Sequence, residues 1–376
     1  MGHELPAPFS SEAIAAGLRW CKEAYADETP PGLIRWIRFR PYRLTHWFGF
    51  IKEDSEVAHP RRVYVAFRGT DPDQLGTWII TNGQAASREV QDQGCIHQGF
   101  FRAWSWLWRN ADPLGGFESW LEAVISPLAA IASTPRPYVV IIVLVTGITG
   151  VALALLEVAG WTWIAPAAGI ITALFCGSIQ SGLLERLSWL SATPEQGPIL
   201  GVASKPKSEG LAAKLQTLDG FNELWFVGHS LGGAMATLAF NEYRRNGPAR
   251  KDRSFLLTFG APRIGDETFV NSFKREHAGF YLHVIDQCDP VPCVPPRSSR
   301  DLWKLRERLQ ERSYGAILVI ASALWYGFAT LWKQSPYSTW PEGKLLLGKA
   351  SEPLQFSRHG CRSYDQVLKD EGVIQG

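Results

Sequence analysis

Apolar residues in 13–27 recur at helical spacing, with Ser10 or Ser11 placed to cap the first turn and Pro30 and Pro31 placed to stop propagation beyond the end. The spacing predicts a first helix there. Segments 47–53 and 61–70 are short runs of β-branched and aromatic residues closed by turn residues, which predicts two strands. In 95–108, Phe101, Trp104 and Trp108 fall at helical spacing. Segment 223–247 reads as a buried strand, a sharp turn and a helix, and 254–262 and 279–286 read as two further strands. Strands alternating with helices predict an α/β body around a largely parallel sheet.

Three charge-free stretches interrupt this alternation: 137–156 (20 residues), 158–184 (27 residues) and 313–332 (20 residues). At ~1.5 Å per residue each reaches the roughly 30 Å of a bilayer's hydrocarbon core. None keeps the polar stripe that a buried core helix usually shows. The first two are separated by Glu157, with Gly160 and Trp161 offering a tight turn, and are expected to form one apolar helical hairpin in contact with a membrane. The bias towards tryptophan, 16 Trp against 2 Met, points the same way, since indole rings favour the boundary between water and an apolar phase.

Composition narrows the function classes. With 376 residues, 46% hydrophobic and 20% charged, the chain has the means to bury a full core, and the length suits two or three average domains or one large enzyme domain carrying an insertion. A net charge of +2 lacks the basic footprint of a nucleic-acid binder, so no nucleic-acid partner is expected. The six cysteines are scattered, and only Cys288 and Cys293 lie close, without a second Cys or His pair at ligand spacing. Reduced thiols and no metal are therefore expected. The first 17 residues have neither the basic nor the apolar region of a secretory signal, so export is not expected.

The strongest chemical pattern is Gly228-His229-Ser230-Leu231-Gly232-Gly233, set between an apolar strand and a helix-forming run. A serine nucleophile on such a turn needs small neighbours two residues either side, because the backbone is strained and passes close to its surroundings. Gly228 and Gly232 meet that need. The helix N-terminus offers free N–H groups to an oxyanion, which makes the Leu231 N–H a candidate donor. A base must follow the nucleophile in the order Ser, acid, His. Of the eight histidines only His277, His283 and His359 come after Ser230. His277 lies in a charged helical stretch and His283 inside a predicted strand, which leaves His359. Asp266, Asp286 and Asp289 are the candidate acids. Asp289 is preferred because Pro290 and Pro292 stiffen its loop, while loop aspartates such as the other two more often serve as caps or turns.

Together with Phe67-Arg68-Gly69-Thr70, His97-Gln98-Gly99-Phe100, the run from Gly260 to Asp266 and Asp289-Pro290-Val291-Pro292, the serine motif resembles the class 3 (fungal-type) lipases of the α/β-hydrolase fold. The resemblance covers about 13–101 and 210–364 and leaves the paired apolar runs without a counterpart. It implies an esterase acting on acylglycerols or related lipids, with Ser230, Asp289 and His359 as triad and no metal or organic cofactor. It further implies Thr70 as second oxyanion donor and a mobile lid at 71–82 containing Trp78, Ile79 and Ile80. The family often has Asp directly before its catalytic His and Tyr three residues after it; here Arg358 precedes His359 and Tyr364 comes five later. His97, Arg68, Arg263 and Asp266 are expected to brace the structure rather than touch substrate.

The domain reading is 1–109 and 209–300 as hydrolase core, 110–208 as an inserted helical segment with the hairpin 137–184, 301–340 as an amphipathic plus apolar helix, and 341–376 as the segment carrying His359. Thr70 and Ser230 must meet, so the hairpin crosses twice or not at all. Asp289 and His359 must also meet with one apolar run between them, so 313–332 cannot cross. It is expected to lie in the interface or to re-enter, led in by 301–312, where Leu302, Leu305 and Leu309 share a face and Trp325, Trp332 and Trp340 reach headgroup depth; a buried hydrolase helix is the other reading of that run. Basic residues flanking the hairpin give little orientation by themselves; with the missing secretory signal and the scattered thiols they lead to the expectation of a body on the cytoplasmic face. The expected function is a membrane-associated serine hydrolase of lipid esters, with the bilayer and a lipid ester as partners. A phospholipase A1, a thioesterase or a lipid acyltransferase would use the same triad. A catalytically idle membrane scaffold would usually have lost a triad member. Acyl chain length, head group and oligomeric state are not written in the sequence.

Overall fold

The computed structural model describes residues 5–26, 33–42, 45–54, 61–69, 87–90, 92–109, 210–216, 218, 220–247, 251–309, 337–340 and 342–375. The chain divides into two units, Met1–Pro113 with Gly197–Gly376, and Leu114–Gln196. All described residues belong to the first. The apolar runs 137–156, 158–184 and 313–332, the segment 110–208, Thr70 and the lid residues Trp78, Ile79 and Ile80 lie outside the described residues. Among the described residues no helix is long and apolar enough to cross a membrane.

One sheet of seven strands organises this unit. The strands are β1 (Leu33–Tyr42), β2 (Thr45–Asp54), β3 (Arg62–Phe67), β6 (Glu223–His229), β7 (Ser254–Phe259), β8 (Tyr281–Asp286) and β9 (Lys344–Leu347), adjacent in that order. The β1–β2 and β2–β3 pairs are antiparallel; every pairing from β3 onwards is parallel. The largely parallel sheet expected from the sequence is present, with an antiparallel edge that the strand pattern did not announce. A small antiparallel pair, β4 (Ser87–Val90) with β5 (Gly94–His97), stands apart.

The period-two alternation of the central strands sorts side chains onto two apolar faces. Val63, Val65, Phe67, Leu224, Phe226 and Leu256 join one core, covered by α2 (Gln98–Arg109), α3 (Leu211–Gln216), α4 (Leu231–Asn246) and α5 (Glu267–His277). Tyr64, Ala66, Trp225, Val227, Leu257 and Phe259 join the other, covered by α1 (Ser11–Glu23) and α7 (Cys361–Asp370). Both faces being covered explains why these strands read as nearly continuous apolar runs. Each fully buried large side chain contributes ~1.5–3 kcal/mol, so the parallel strands form the rigid frame from which the loops at their C-terminal ends project.

Ser10 caps α1 by accepting from the Ala13 amide at 3.2 Å. The helix ends at Glu23, short of the proline pair. The amphipathic segment expected in a membrane interface needs a correction. Its described part is α6 (Ser299–Arg308), and there Leu305 is buried against Leu354, with Cys293, Val294, Leu309 and Phe356 packed around them. The apolar face at Leu305 and Leu309 is thus satisfied by the protein itself. Trp303, on the opposite side, is 56% exposed. Helical periodicity shows that a face will be buried but not what buries it.

Candidate active site

β6 ends at His229 and α4 begins at Leu231, so Ser230 alone makes the turn between them. It does so at φ 57° and ψ −131°, in the left-handed half of backbone space that a serine rarely occupies. Such strain costs of order 1–3 kcal/mol and persists only where the surroundings over-determine it. Here the glycines allow them to close in. A Cβ on Gly228 would sit 2.1 Å from the Gly232 carbonyl oxygen, and one on Gly232 would sit 2.1 Å from the Phe67 carbonyl oxygen. The Ser230 amide donates to the Phe259 carbonyl at 3.0 Å, pinning the turn to β7.

The side chain of Ser230 points to His359. Its hydroxyl donates to His359 Nε2 at 2.8 Å, and His359 Nδ1–H donates to Asp289 Oδ2 at 2.8 Å. A carboxylate only accepts, so the proton resides on Nδ1 and leaves Nε2 free to take the serine proton. Asp289 follows β8 and is 1% exposed. Its Oδ1 accepts from the Val291 amide at 2.8 Å, and its Oδ2 accepts a second bond, from Tyr364 Oη, at 2.8 Å. Three donors on one buried carboxylate satisfy its oxygens and fix it in place. The structure therefore brings Ser230, Asp289 and His359 together.

The other sequence candidates sit elsewhere. Asp266 caps α5, its Oδ1 accepting from the Phe269 amide at 2.8 Å. Asp286 is fully buried and pairs with Arg358 Nε at 2.8 Å. His283 Nδ1 shares a hydrogen bond with Thr258 Oγ1 at 2.6 Å, and His277 donates from Nε2 to Asn241 Oδ1 at 2.9 Å. Burial first, and then nearby cations, push both rings down to about 3, so each is neutral inside the fold. His97 stacks on Phe100 at 3.9 Å between ring centroids, and Arg263 joins Asp301 at 3.0 Å and the Pro295 carbonyl at 3.0 Å. Arg68 is buried with its guanidinium over the Tyr25 ring.

Leu231 is the first residue of α4, so its N–H has no acceptor within the helix. The N-terminal end of α4 carries the positive end of the helix dipole next to Ser230. Thr70, the other candidate donor, lies outside the described residues. Among the described residues no three His, Cys, Asp or Glu side chains gather as a metal site would require.

Two contributors were not assigned a role from the sequence. His229 is buried; its Nε2–H donates to the main-chain carbonyl of His359, and its Nδ1 accepts from Tyr25 Oη at 2.8 Å. Burial, and then the neighbouring His359, hold its pKa well below the ordinary imidazole value, so the ring stays neutral. Its presence inside the serine motif was the one visible hint. Tyr25 stood in the tail of a predicted helix with nothing to mark it.

Residues 177–299 match the family model described as Lipase (class 3), a span that holds β6, the Ser230 turn and Asp289. A segment of the chain is 41% identical over 70 residues to secreted mono- and diacylglycerol lipase 1 of Fusarium solani, covering 19% of this chain and 20% of that protein. Another match, to the lipase of Rhizomucor miehei, is 39% identical over 71 residues and covers 19% of each chain. The matched segments thus span about a fifth of the length of these curated relatives. The solved triacylglyceride lipase of Rhizomucor miehei aligns with 76% of this chain and 74% of its own, at 14% identity and a TM-score of 0.39.

Proposed function

We propose that this chain is a serine hydrolase that cleaves carboxylic esters of lipids, with acylglycerols as the substrate class, through an acyl-enzyme on Ser230. The observation that carries the reading is the unbroken chain from Ser230 Oγ through His359 to Asp289, with both links at 2.8 Å. In this reading Ser230 Oγ attacks the ester carbonyl as its proton passes to His359 Nε2, and Asp289 stabilises the imidazolium that results. The Leu231 N–H and Thr70 receive the oxyanion, each such donor contributing ~3 kcal/mol to the transition state. His359 then returns the proton to the departing alcohol, and water resolves the acyl-enzyme by the reverse sequence.

The acylglycerol class is supported by the mono- and diacylglycerol lipases among the relatives. Bilayer contact belongs to the same proposal and rests on the charge-free runs 137–156 and 158–184. The body is proposed to sit on the cytoplasmic face, and a cysteine-labelling map of intact cells tests that placement. Replacing Ser230 with Ala is expected to abolish both fluorophosphonate labelling and hydrolysis of p-nitrophenyl acyl esters. Undiminished labelling of the Ser230→Ala protein would remove Ser230 as the nucleophile.

A further inference from the structure

The loop that leaves β8 carries two buried carboxylates three residues apart, Asp286 and Asp289. Two consecutive residues of a distant segment answer them. Arg358 Nε donates to Asp286 Oδ2 at 2.8 Å, and His359 Nδ1 donates to Asp289 Oδ2 at 2.8 Å. Only the second of these bonds belongs to the proton relay. The first has the same length, a fully buried acceptor and no part in the chemistry described so far.

The segment that bears His359 needs such an anchor. It is a single 3-10 turn, Phe356–Arg358, with no buried residue of its own. Its backbone is tied by Gln355 N to the Cys288 carbonyl at 2.9 Å, Arg358 N to the Gln355 carbonyl at 3.1 Å and His359 N to the Phe356 carbonyl at 2.9 Å, and the His359 carbonyl accepts from His229 Nε2. The two bonds internal to the turn cannot fix its place on the body; the Cys288 and His229 bonds hold the main chain at either end, and the Arg358 side chain ties the turn between them. The opposite face of the ion pair is rigid, because Asp286 Oδ1 accepts from the Cys288 amide at 3.0 Å and the Asp289 amide donates to the Asp286 carbonyl at 2.9 Å.

We propose that Arg358 is a positioning residue for the imidazole of His359: its ion pair with Asp286 sets the turn so that Nε2 faces Ser230 and Nδ1 faces Asp289. This rests on the serine-hydrolase reading above. The pair also balances charge. Asp286 is faced by Arg358 from the turn, by Tyr364 from α7 and by Cys288 in its own loop, and Cys288 Sγ in turn meets Glu352 at 3.4 Å. His359 is faced by Asp289, His229 and Ser230. Within these sets Arg358 is the cation bonded to Asp286, so its removal leaves an uncompensated carboxylate beside the relay and makes His359 easier to protonate.

The test measures kcat, KM and fluorophosphonate labelling rate with p-nitrophenyl butyrate as substrate, across about pH 5 to 9, for Arg358→Ala, Arg358→Lys and the paired variant Asp286→Asn with Arg358→Gln. Arg358→Ala is expected to lower kcat about 10- to 100-fold with KM nearly unchanged, and to move the acid limb of the kcat/KM profile to higher pH. Arg358→Lys keeps the charge and is expected to recover most of the rate. The paired variant removes the buried charge together with its partner, so it returns the acid limb to its wild-type position while kcat stays about 10-fold low or lower. Wild-type kcat and acid limb in a folded Arg358→Ala protein would overturn the proposal. If that variant does not fold, wild-type kcat in the paired variant overturns it instead. A wild-type protein that takes no fluorophosphonate on Ser230 would sink the hydrolase reading, whereas labelled wild type with unaltered variants sinks only the role of Arg358.

Discussion

Tyr364 donates its phenolic hydrogen to the same oxygen of Asp289 that receives the Nδ1 proton of His359. The phenol in turn accepts from the Asp286 amide at 3.2 Å, so one side chain of α7 ties both ends of the acid loop. Burial, and then the charge of Asp289, raise its pKa well above the usual tyrosine value, which keeps it a donor at every working pH.

Replacing Tyr364 with Phe removes a hydrogen bond to a charged acceptor, worth ~1.5–3 kcal/mol. The expected result is a roughly 10-fold loss in kcat on a p-nitrophenyl ester with KM little changed. An unaltered kcat in steady-state assays would show that the remaining two donors suffice to orient Asp289.

Gly260 adopts φ +57° beneath the relay, where a Cβ would lie 2.7 Å from Asp289 Oδ2, 2.8 Å from Tyr364 Oη and 3.2 Å from His359 Nδ1. Gly260→Ala therefore combines a left-handed backbone penalty of ~1–2 kcal/mol with a displaced acid. Both a lower thermal midpoint and a large drop in fluorophosphonate labelling are expected. Normal labelling would mean that the loop after β7 yields without disturbing Asp289.

Asp266→Ala separates the cap from the relay. Loss of the bond to the Phe269 amide is expected to destabilise the fold by ~1 kcal/mol in urea titration. Activity per folded molecule is expected to remain, since Asp266 is bound up at the start of α5. A collapse of kcat at unchanged stability would return Asp266 to the list of candidate acids.

The buried rings of His277 and His283 make stability depend on pH. Both are held near a pKa of about 3 in the fold, against 6.5 when exposed. The unfolded chain thus binds protons that the native state refuses, so the stability present above about pH 6.5 is lost as pH falls towards about 3. Between about pH 6.5 and pH 5 each ring accounts for ~2 kcal/mol. Urea midpoints of the wild type should fall over that window, and His283→Asn should fall less steeply. An identical slope in the variant would show that His283 is not the group responsible.

How much of the site was visible beforehand follows from how far its bonds reach. The turn at Ser230 is local, a strand, two glycines and a helix within one segment, and its pattern was plain. Asp289 and His359 were reached by chain order and elimination. Tyr364, Arg358 and Tyr25 were not assigned their roles, because their bonds to Asp289, Asp286 and His229 span 75, 72 and 204 residues. No periodicity encodes a hydrogen bond between segments so far apart. Likewise β1 and the short β9 were not anticipated, since a strand at or near a sheet edge takes its place from pairing as much as from its own residues.

Taken alone, the amino-acid order determined the alternation that divides the central strands between two apolar faces, and the strained turn on which Ser230 stands, because both depend on neighbours a few residues away. Only the tertiary structure decided which carboxylate meets His359, which donors hold that carboxylate, and that Leu305 of α6 turns inward against Leu354. Those outcomes depend on which surfaces packing brings within about 3 Å of one another, a quantity set by the folded sheet and its loops rather than by spacing along the chain.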